Sequence, residues 1–195
     1  MTDAALLERI DRVESQLAIQ QLPPRYALAV DSRDLDAWVD LFIEDVDCGR
    51  HGQGREALKR WIDPQLRSFY RSHHQICGHV IDLVDADHAT GKVYCRAEHE
   101  DRGKWIVMLI CYFDTYERRQ GRWYFVRRDE QHWYASDIVE RPTGPNFQRW
   151  PGKEHQAPRL PGRFPSWSAF WASSDPAHVT QLTTEPVAPP TRGSK

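Results

Sequence analysis

Residues 20–46 read QQLPPRYALAVDSRDLDAWVDLFIEDV. This stretch shows how the first half of the chain is built. Upstream of it, Ala4 to Val30 places Leu6, Leu7, Ile10, Val13, Leu17, Ile19 and Leu22 at helical spacing. Pro23-Pro24 is expected to break that helix, with a kink and a second short helix through Tyr26 to Val30. Asp31-Ser32-Arg33-Asp34 reads as a turn, and Asp34 can cap a helix over Leu35 to Phe42. Glu44 to Arg50 is expected as a short strand. Arg55 to Phe69 is predicted helical, with Leu58, Trp61, Ile62, Leu66 and Phe69 on one side.

Downstream the periodicity changes. His74 to Val84, Thr90 to Glu100, Trp105 to Tyr116 and Arg122 to Tyr134 read as strands. Asp85-Ala86-Asp87 and Glu117 to Gly121 are the turns between them. Helices followed by long antiparallel strands predict an α+β fold. The strands should form a curved antiparallel or mixed β-sheet, and the N-terminal helices should close a conical pocket against it.

Composition narrows the function classes. The chain has 195 residues, with 26 Lys and Arg against 28 Asp and Glu, a net charge of −2. A basic face for nucleic acid is not visible. No apolar run approaches the ~18 residues of a membrane span. The opening residues include Asp3, Glu8, Arg9, Asp11 and Arg12, which do not read as a signal peptide. A cytoplasmic location without membrane or nucleic-acid partners is the expectation. Cys48, Cys77, Cys95 and Cys111 contain no CxxC spacing, and reduced, buried thiols are expected.

The chain divides near residue 140. Ten of its 13 prolines lie between Pro142 and Pro190, and the net charge changes from −6 over residues 1–140 to +4 over residues 141–195. The expectation is a folded domain over 1–140 and a Pro- and Trp-rich extension over 141–195. That extension carries Trp150, Phe164, Trp167, Phe170 and Trp171, too aromatic for a plain disordered tail. Trp167, Phe170 and Trp171 suit a short docking helix. The extension is read as an inter-subunit contact in preference to a lid, and Pro186 to Lys195 as disordered.

Taken in order, RYALAVDSRDLDAW, LFIEDV, the strand opening at His73-His74 and the Gly-x-Trp hairpin YERRQGRWYF resemble the SnoaL-like branch of the nuclear transport factor 2-like superfamily. The resemblance covers about residues 5–135. Pro23-Pro24 and the Trp-rich extension depart from it. It implies a curved sheet with helices around a conical pocket. Relatives include scytalone dehydratase, bile acid 7α-dehydratase, hexachlorocyclohexane dehydrochlorinase and diarylpropane lyase, so it implies cofactor-free elimination chemistry. Several relatives use a His–Asp dyad, which carries over to His74 and Asp31. A helix tyrosine falls on Tyr26 and a last-strand arginine on Arg128. The resemblance also makes a homo-oligomer, a dimer or trimer, the expected state.

Residue chemistry supplies both a plain and a functional reading at each position. Asp31 is either a turn carboxylate bonded to nearby backbone or the acid that orients an imidazole. His73 and His74 point to opposite faces of a strand. Alternation groups His74 with the apolar positions Ile76, Gly78 and Val80, which suits a pocket lining. Tyr26 lies about 140° from position 31 on an ideal helix, so the two share a pocket only if Asp31 lies past the helix end. Arg128 is grouped with Tyr124, Val126 and His132, and an inward Arg128 could stabilise a leaving anion. Phe42, His99, Tyr112 and His132 are candidate substrate contacts. The histidines show no HExxH or CxxC pattern, so neither a metal site nor a cofactor site is read.

The expected function is therefore a cofactor-independent lyase. His74 would remove a proton, and water, formaldehyde or halide would leave. Trp105, Tyr112, Trp133, Trp167 and Trp171 point to a small aromatic or polycyclic substrate. A non-catalytic binding module of the same fold, an isomerase and a hydrolase are the alternatives.

Overall fold

In the computed structural model, residues 2–143, 157 and 159–183 are described. The chain forms helices α1 (Asp3–Ser32), α2 (Leu35–Val39) and α3 (Arg55–Leu66). Four strands follow: β1 (Arg71–Leu83), β2 (His88–Asp101), β3 (Lys104–Arg119) and β4 (Arg122–Asp137). They make one antiparallel sheet in the order β1-β2-β3-β4, so the fold is α+β with a curved sheet. Two connections are as tight as a hairpin permits. Arg102-Gly103 and Gln120-Gly121 have φ values of 51°, 78°, 52° and 77°. Positive φ at both central residues is the type I′ geometry that matches strand twist.

Three residues are inserted in the strands without a partner. The register slips at Cys77 in β1, and at Val126 and Trp133 in β4. Such bulges bend a strand and turn the following side chains to the other face. The alternation expected for β1 therefore stops at Cys77. His74 and Ile76 face inward, but His79 and Ile81 replace Gly78 and Val80 on that face. In β4, Trp123 and Phe125 are buried beneath the helices instead of Tyr124 and Val126. Arg128, Glu130 and His132 then share the inner face, opposite Asp114, Tyr112 and Ile110 of β3.

The helices cover the concave side. Ile19, Leu22, Val30, Trp38, Phe42 and Leu58 pack against Tyr116, Trp123 and Phe125 in the main core. The helical side covers part of each sheet edge. Ile43 N–H donates to Phe125 O at 3.0 Å, and Phe125 N–H donates to Leu41 O at 2.9 Å, along the β4 edge. The end of α1 covers the β1 edge. An open edge would present unpaired backbone groups to other chains.

Several local expectations are corrected. α1 is a single 30-residue helix that runs through Pro23-Pro24. Adjacent prolines remove only two neighbouring donors, and Pro23 is itself buried in the core. No strand forms over 44–50. Asp47 Oδ1 accepts from Gly49 N at 2.7 Å, and a 3₁₀ turn over Gly49–His51 follows. This Asx-type turn competes with extended pairing. α2 stops at Val39 and α3 at Leu66, each a turn earlier than expected. All four cysteines are free, but only Cys95 and Cys111 are buried. Cys77 is exposed at its bulge and Cys48 is half-buried.

The described part of the extension packs on the chain's own sheet. It forms α4 (Pro165–Ala172) and α5 (Pro176–Thr183), and α4 carries Trp167, Phe170 and Trp171 as expected. Phe164 stacks on Trp133 at 5.9 Å, Trp167 meets Trp133 at 5.2 Å, and Arg163 bonds Asp129 at 3.1 Å. Leu160 is fully buried. These partners lie on the outer face, away from the helices, so these residues form no lid. Trp150 and Pro186 to Lys195 lie outside the described residues. Among the described residues no helix is long and apolar enough to cross a membrane.

One glycine tests the inner packing. A Cβ on Gly91 would lie 2.9 Å from His79 Nε2, 2.9 Å from Val80 O and 3.0 Å from the Tyr116 ring. Gly91→Ala is expected to destabilise the fold by about 1–3 kcal/mol through overpacking. Gly78 meets nothing within 4 Å, and Gly78→Ala should stay within about 0.5 kcal/mol of wild type. Urea unfolding of both variants checks the contrast; equal stabilities would contradict the packing described.

Candidate active site

The C-terminal turn of α1 and the start of β1 meet at one carboxylate. Asp31 lies inside the helix, one residue before its end, not beyond it. Arg33 ends the helix in the left-handed region at φ 63°. Its guanidinium donates to Val30 O at 2.7 Å and to Ser72 Oγ at 2.9 Å. Ser72 Oγ donates to Asp31 Oδ1 at 2.8 Å, and His74 N–H donates to Asp31 Oδ2 at 2.8 Å. The His74 ring completes the set, with Nδ1 2.7 Å from Asp31 Oδ1.

This geometry sets the electrostatics. Burial works to raise the Asp31 pKa, but the bonds from the His74 ring and backbone, the His74 charge and the Ser72 hydroxyl outweigh it. The carboxyl is lowered from 3.8 to about 2. A carboxylate facing Nδ1 makes that nitrogen the donor, which leaves Nε2 as the basic atom of the neutral ring. The His74 side chain is 7% exposed and Asp31 22% exposed.

His74 lines a cavity of about 350 Å³ together with Tyr26, Phe69, His99, Met108, Glu130 and His132. His99 stands edge-on to His74 at 5.5 Å. Burial and the His74 charge lower the His99 pKa to about 3, so this ring stays neutral. Burial raises the Tyr26 pKa, so its hydroxyl keeps its proton and can donate. His132 Nε2 lies 2.5 Å from Glu130 Oε1. Burial opposes ionisation of Glu130, but the bond to the His132 ring and the His132 charge lead the effects that outweigh it and hold the carboxyl low. Glu130 lies deep among protein groups, yet its side chain remains 43% exposed. Glu130 lines this cavity and its neighbour.

The neighbouring chamber, of about 770 Å³, is lined by Tyr26, Trp38, Phe42, Trp61, Tyr112 and Arg128, among others. Tyr26 and Glu130 stand between the two. Arg128 therefore points inward, but it belongs to the second chamber and not to the space around His74. Its Nε and one terminal nitrogen each bond Asp114 at 3.0 Å. Its guanidinium lies 4.0 Å from the Tyr112 ring centre, 4.3 Å from Tyr26 and 4.6 Å from Phe125. Burial opposes its charge, but Asp114 more than compensates and raises its pKa. Asp114 also accepts from Tyr116 Oη at 2.8 Å, which His79 Nε2 meets at 3.0 Å.

Thus His74, Asp31, Tyr26, His99 and His132 gather at the first chamber, while Phe42, Tyr112 and Arg128 line the second. His73 is exposed on the opposite face. Trp105, Trp133, Trp167 and Trp171 line neither chamber. Sequence reasoning missed Ser72, Arg33 and Glu130. Period-2 spacing could have found Ser72, two before His74, and Glu130, midway between Arg128 and His132. Among the described residues, no group of three or more His, Cys, Asp or Glu is arranged to hold a metal ion.

Comparison with known proteins agrees with this architecture. A model of the SnoaL-like domain matches residues 11–129. The crystal structure of LinA superposes with a TM-score of 0.61 at 24% identity, covering 68% of this chain and 95% of that one. The LinA-type3 hexachlorocyclohexane dehydrochlorinase of Novosphingobium barchaimii gives 0.60 at 22%, covering 68% and 96%. A provisionally named scytalone dehydratase of Novosphingobium aromaticivorans gives 0.59 at 22%, covering 68% and 93%. No curated protein sequence matches the chain.

The lowered Asp31 pKa makes a stability prediction. A carboxyl held below its unfolded value stabilises the fold above pH ~4, and that contribution fades as pH falls through about 2. With screening at a partly exposed site, it should be on the order of 1–2 kcal/mol. Urea unfolding at pH 5 and pH 2 should show this loss in wild type, on top of any general acid effect, and a smaller one in Asp31→Asn. Identical pH dependence in the two proteins would refute the assignment.

Proposed function

The chain belongs to the SnoaL-like family, and from that premise we propose that it is a cofactor-independent lyase acting on a small, largely apolar substrate. One observation carries the reading: His74 Nδ1 lies 2.7 Å from Asp31 Oδ1, with the ring on the wall of a cavity. A carboxylate at Nδ1 fixes the tautomer and stabilises the imidazolium that forms when Nε2 takes a proton.

In this proposal the substrate places a C–H, or an O–H when formaldehyde is lost, against His74 Nε2. When a C–H proton is taken, its electron pair forms the new double bond as the hydroxide or halide departs with its own pair. When an O–H proton is taken, the oxygen pair forms the C=O of formaldehyde, the adjoining C–C bond breaks, and its pair forms the alkene as a neighbouring hydroxide departs. Tyr26, kept protonated by burial, supplies a hydrogen bond to the departing oxygen or halide. A hydroxide leaves as water, so the proton collected by His74 ends on the departing oxygen and the enzyme is restored. After halide loss His74 returns its proton to solvent. Val30, Ile62, Leu66, Met108 and Ile110 give the first chamber an apolar wall. Trp38, Phe42, Trp61 and Tyr112 give the second an aromatic one. An aromatic substrate would set its reacting carbon beside His74 and its ring in the second chamber. There Arg128 would hold an oxygen substituent.

The test is a mass-spectrometric screen of the full chain, with chelator present, against aryl alcohols, diarylpropane diols, hydroxylated polyketides and chlorinated cyclohexanes. Loss of water, formaldehyde or HCl is expected, and His74→Ala should lower turnover by about 10²–10⁴-fold. Asp31→Asn should lower it as well. Turnover that persists unchanged in His74→Ala would discard the dyad; turnover abolished by the chelator would discard cofactor independence.

A further inference from the structure

α1 carries two apolar faces, and the fold uses one. At about 100° per residue, the buried positions Ser15, Ile19 and Leu22 point one way, toward the body of the protein. Leu6, Ile10, Val13, Leu17 and Leu28 point the opposite way, about 180° around the helix. Their exposures are 43%, 44%, 55%, 58% and 72%. From Leu6 to Leu28 the stripe runs roughly 33 Å along the axis. Leu6, Ile10, Val13 and Leu17 follow the alternating four-and-three spacing of a coiled-coil seam. A surface helix that needed only one core contact would present polar residues here.

We infer that this stripe is the contact between two copies of the chain, with the two α1 helices side by side and parallel. The flanking residues select this occupant and this direction. Arg9 borders the seam on one side and Glu14 on the other, five positions later. In a parallel pair, a residue on the first border faces the residue five positions on across the seam. Arg9 then meets Glu14 of the partner subunit, and Glu14 meets the partner's Arg9. Gln16 and the partner's Gln21 repeat the match with neutral amides. An antiparallel pair centred on the same four residues sets Arg9 against Gln16 and Glu14 against Leu7, which pairs no charges. Arg9 also interacts within its own chain, and a guanidinium has five donors to share. Asp11, on the inward side, is tied to Arg118 at 2.6 Å, which holds the helix to the sheet while the seam faces away.

A seam of this length sits at the small end of stable interfaces, so a concentration-dependent dimer is expected. Sedimentation velocity of the full chain from about 1 to about 100 µM should show the monomer giving way to a dimer. Ile10→Lys with Leu17→Lys should raise the dissociation constant at least about tenfold, with an unchanged circular dichroism spectrum, because both side chains face away from the core. Arg9→Glu alone should weaken association, and Arg9→Glu with Glu14→Arg should restore it. That exchange keeps the fold test independent of the lysine variants. A wild-type chain that remains monomeric throughout, or an assembly whose mass the lysine variants leave unchanged, would overturn the proposal. Failure of the charge exchange to restore association would overturn the parallel arrangement.

Discussion

The carboxylate of Asp31 is the point at which the helical layer and the sheet become one structure. It takes hydrogen bonds from Ser72 Oγ, His74 N and His74 Nδ1, all on the edge strand β1. One oxygen satisfies an edge amide that would otherwise be open to another chain, while the other orients the imidazole. Arg33, in a left-handed conformation at the helix end, braces the same corner through Ser72 and Val30. The opposite edge is met by backbone pairing of residues 41–43 with Phe125. Between these two contacts the sheet curves, and the space under the helices remains as two chambers.

Those chambers differ in character because their charges are handled differently. Around His74, ionisable groups are paired side chain to side chain: Asp31 with His74, and Glu130 with His132. In the aromatic chamber the Arg128–Asp114 pair is buried, held in a two-pronged geometry and enclosed by Tyr26, Tyr112 and Phe125. Its side chains are 4% and 0% exposed. Removing either partner would leave an uncompensated buried charge, which is costly. His79, Tyr116 and Gly91 extend that fixed network toward β1 and β2. Tyr26 belongs to both regions, its ring against Arg128 and its edge in the His74 cavity.

Much of this was legible in the sequence. The helix-then-strand order, the hairpin at Gln120-Gly121 and the inward choice of His74 over His73 follow from periodicity and turn chemistry. So does the capping of α2 by Asp34, which accepts from Ala37 N at 2.9 Å. What escaped had specific causes. The bulges at Cys77, Val126 and Trp133 carry no residue signature. Alternation therefore fails beyond them, which turns Val80 off the inner face and buries Trp123 and Phe125 there in place of Tyr124. Pro23-Pro24 reads as a break because helix propensity is local, whereas the C-terminal half of α1 is held by packing, with Pro23 itself buried. The position of Arg128 in a separate chamber depends on Asp114, fourteen residues away across β3, and no local pattern reports such a pairing. The many tryptophans suggested a ligand surface. Trp133 and Trp167 instead join the extension to the outer sheet face.

The double duty of Asp31 also bears on how retention of residues in a lineage should be read. One carboxylate both holds the β1 edge amide of residue 74 and orients the His74 ring. Selection for a stable fold alone would therefore suffice to preserve the aspartate. The histidine ring has no such second employer, because the edge amide belongs to the backbone of position 74 whatever its side chain. Among proteins of this shape, an aspartate at this position without its histidine would keep the strand-edge bond and lose only the ring contact.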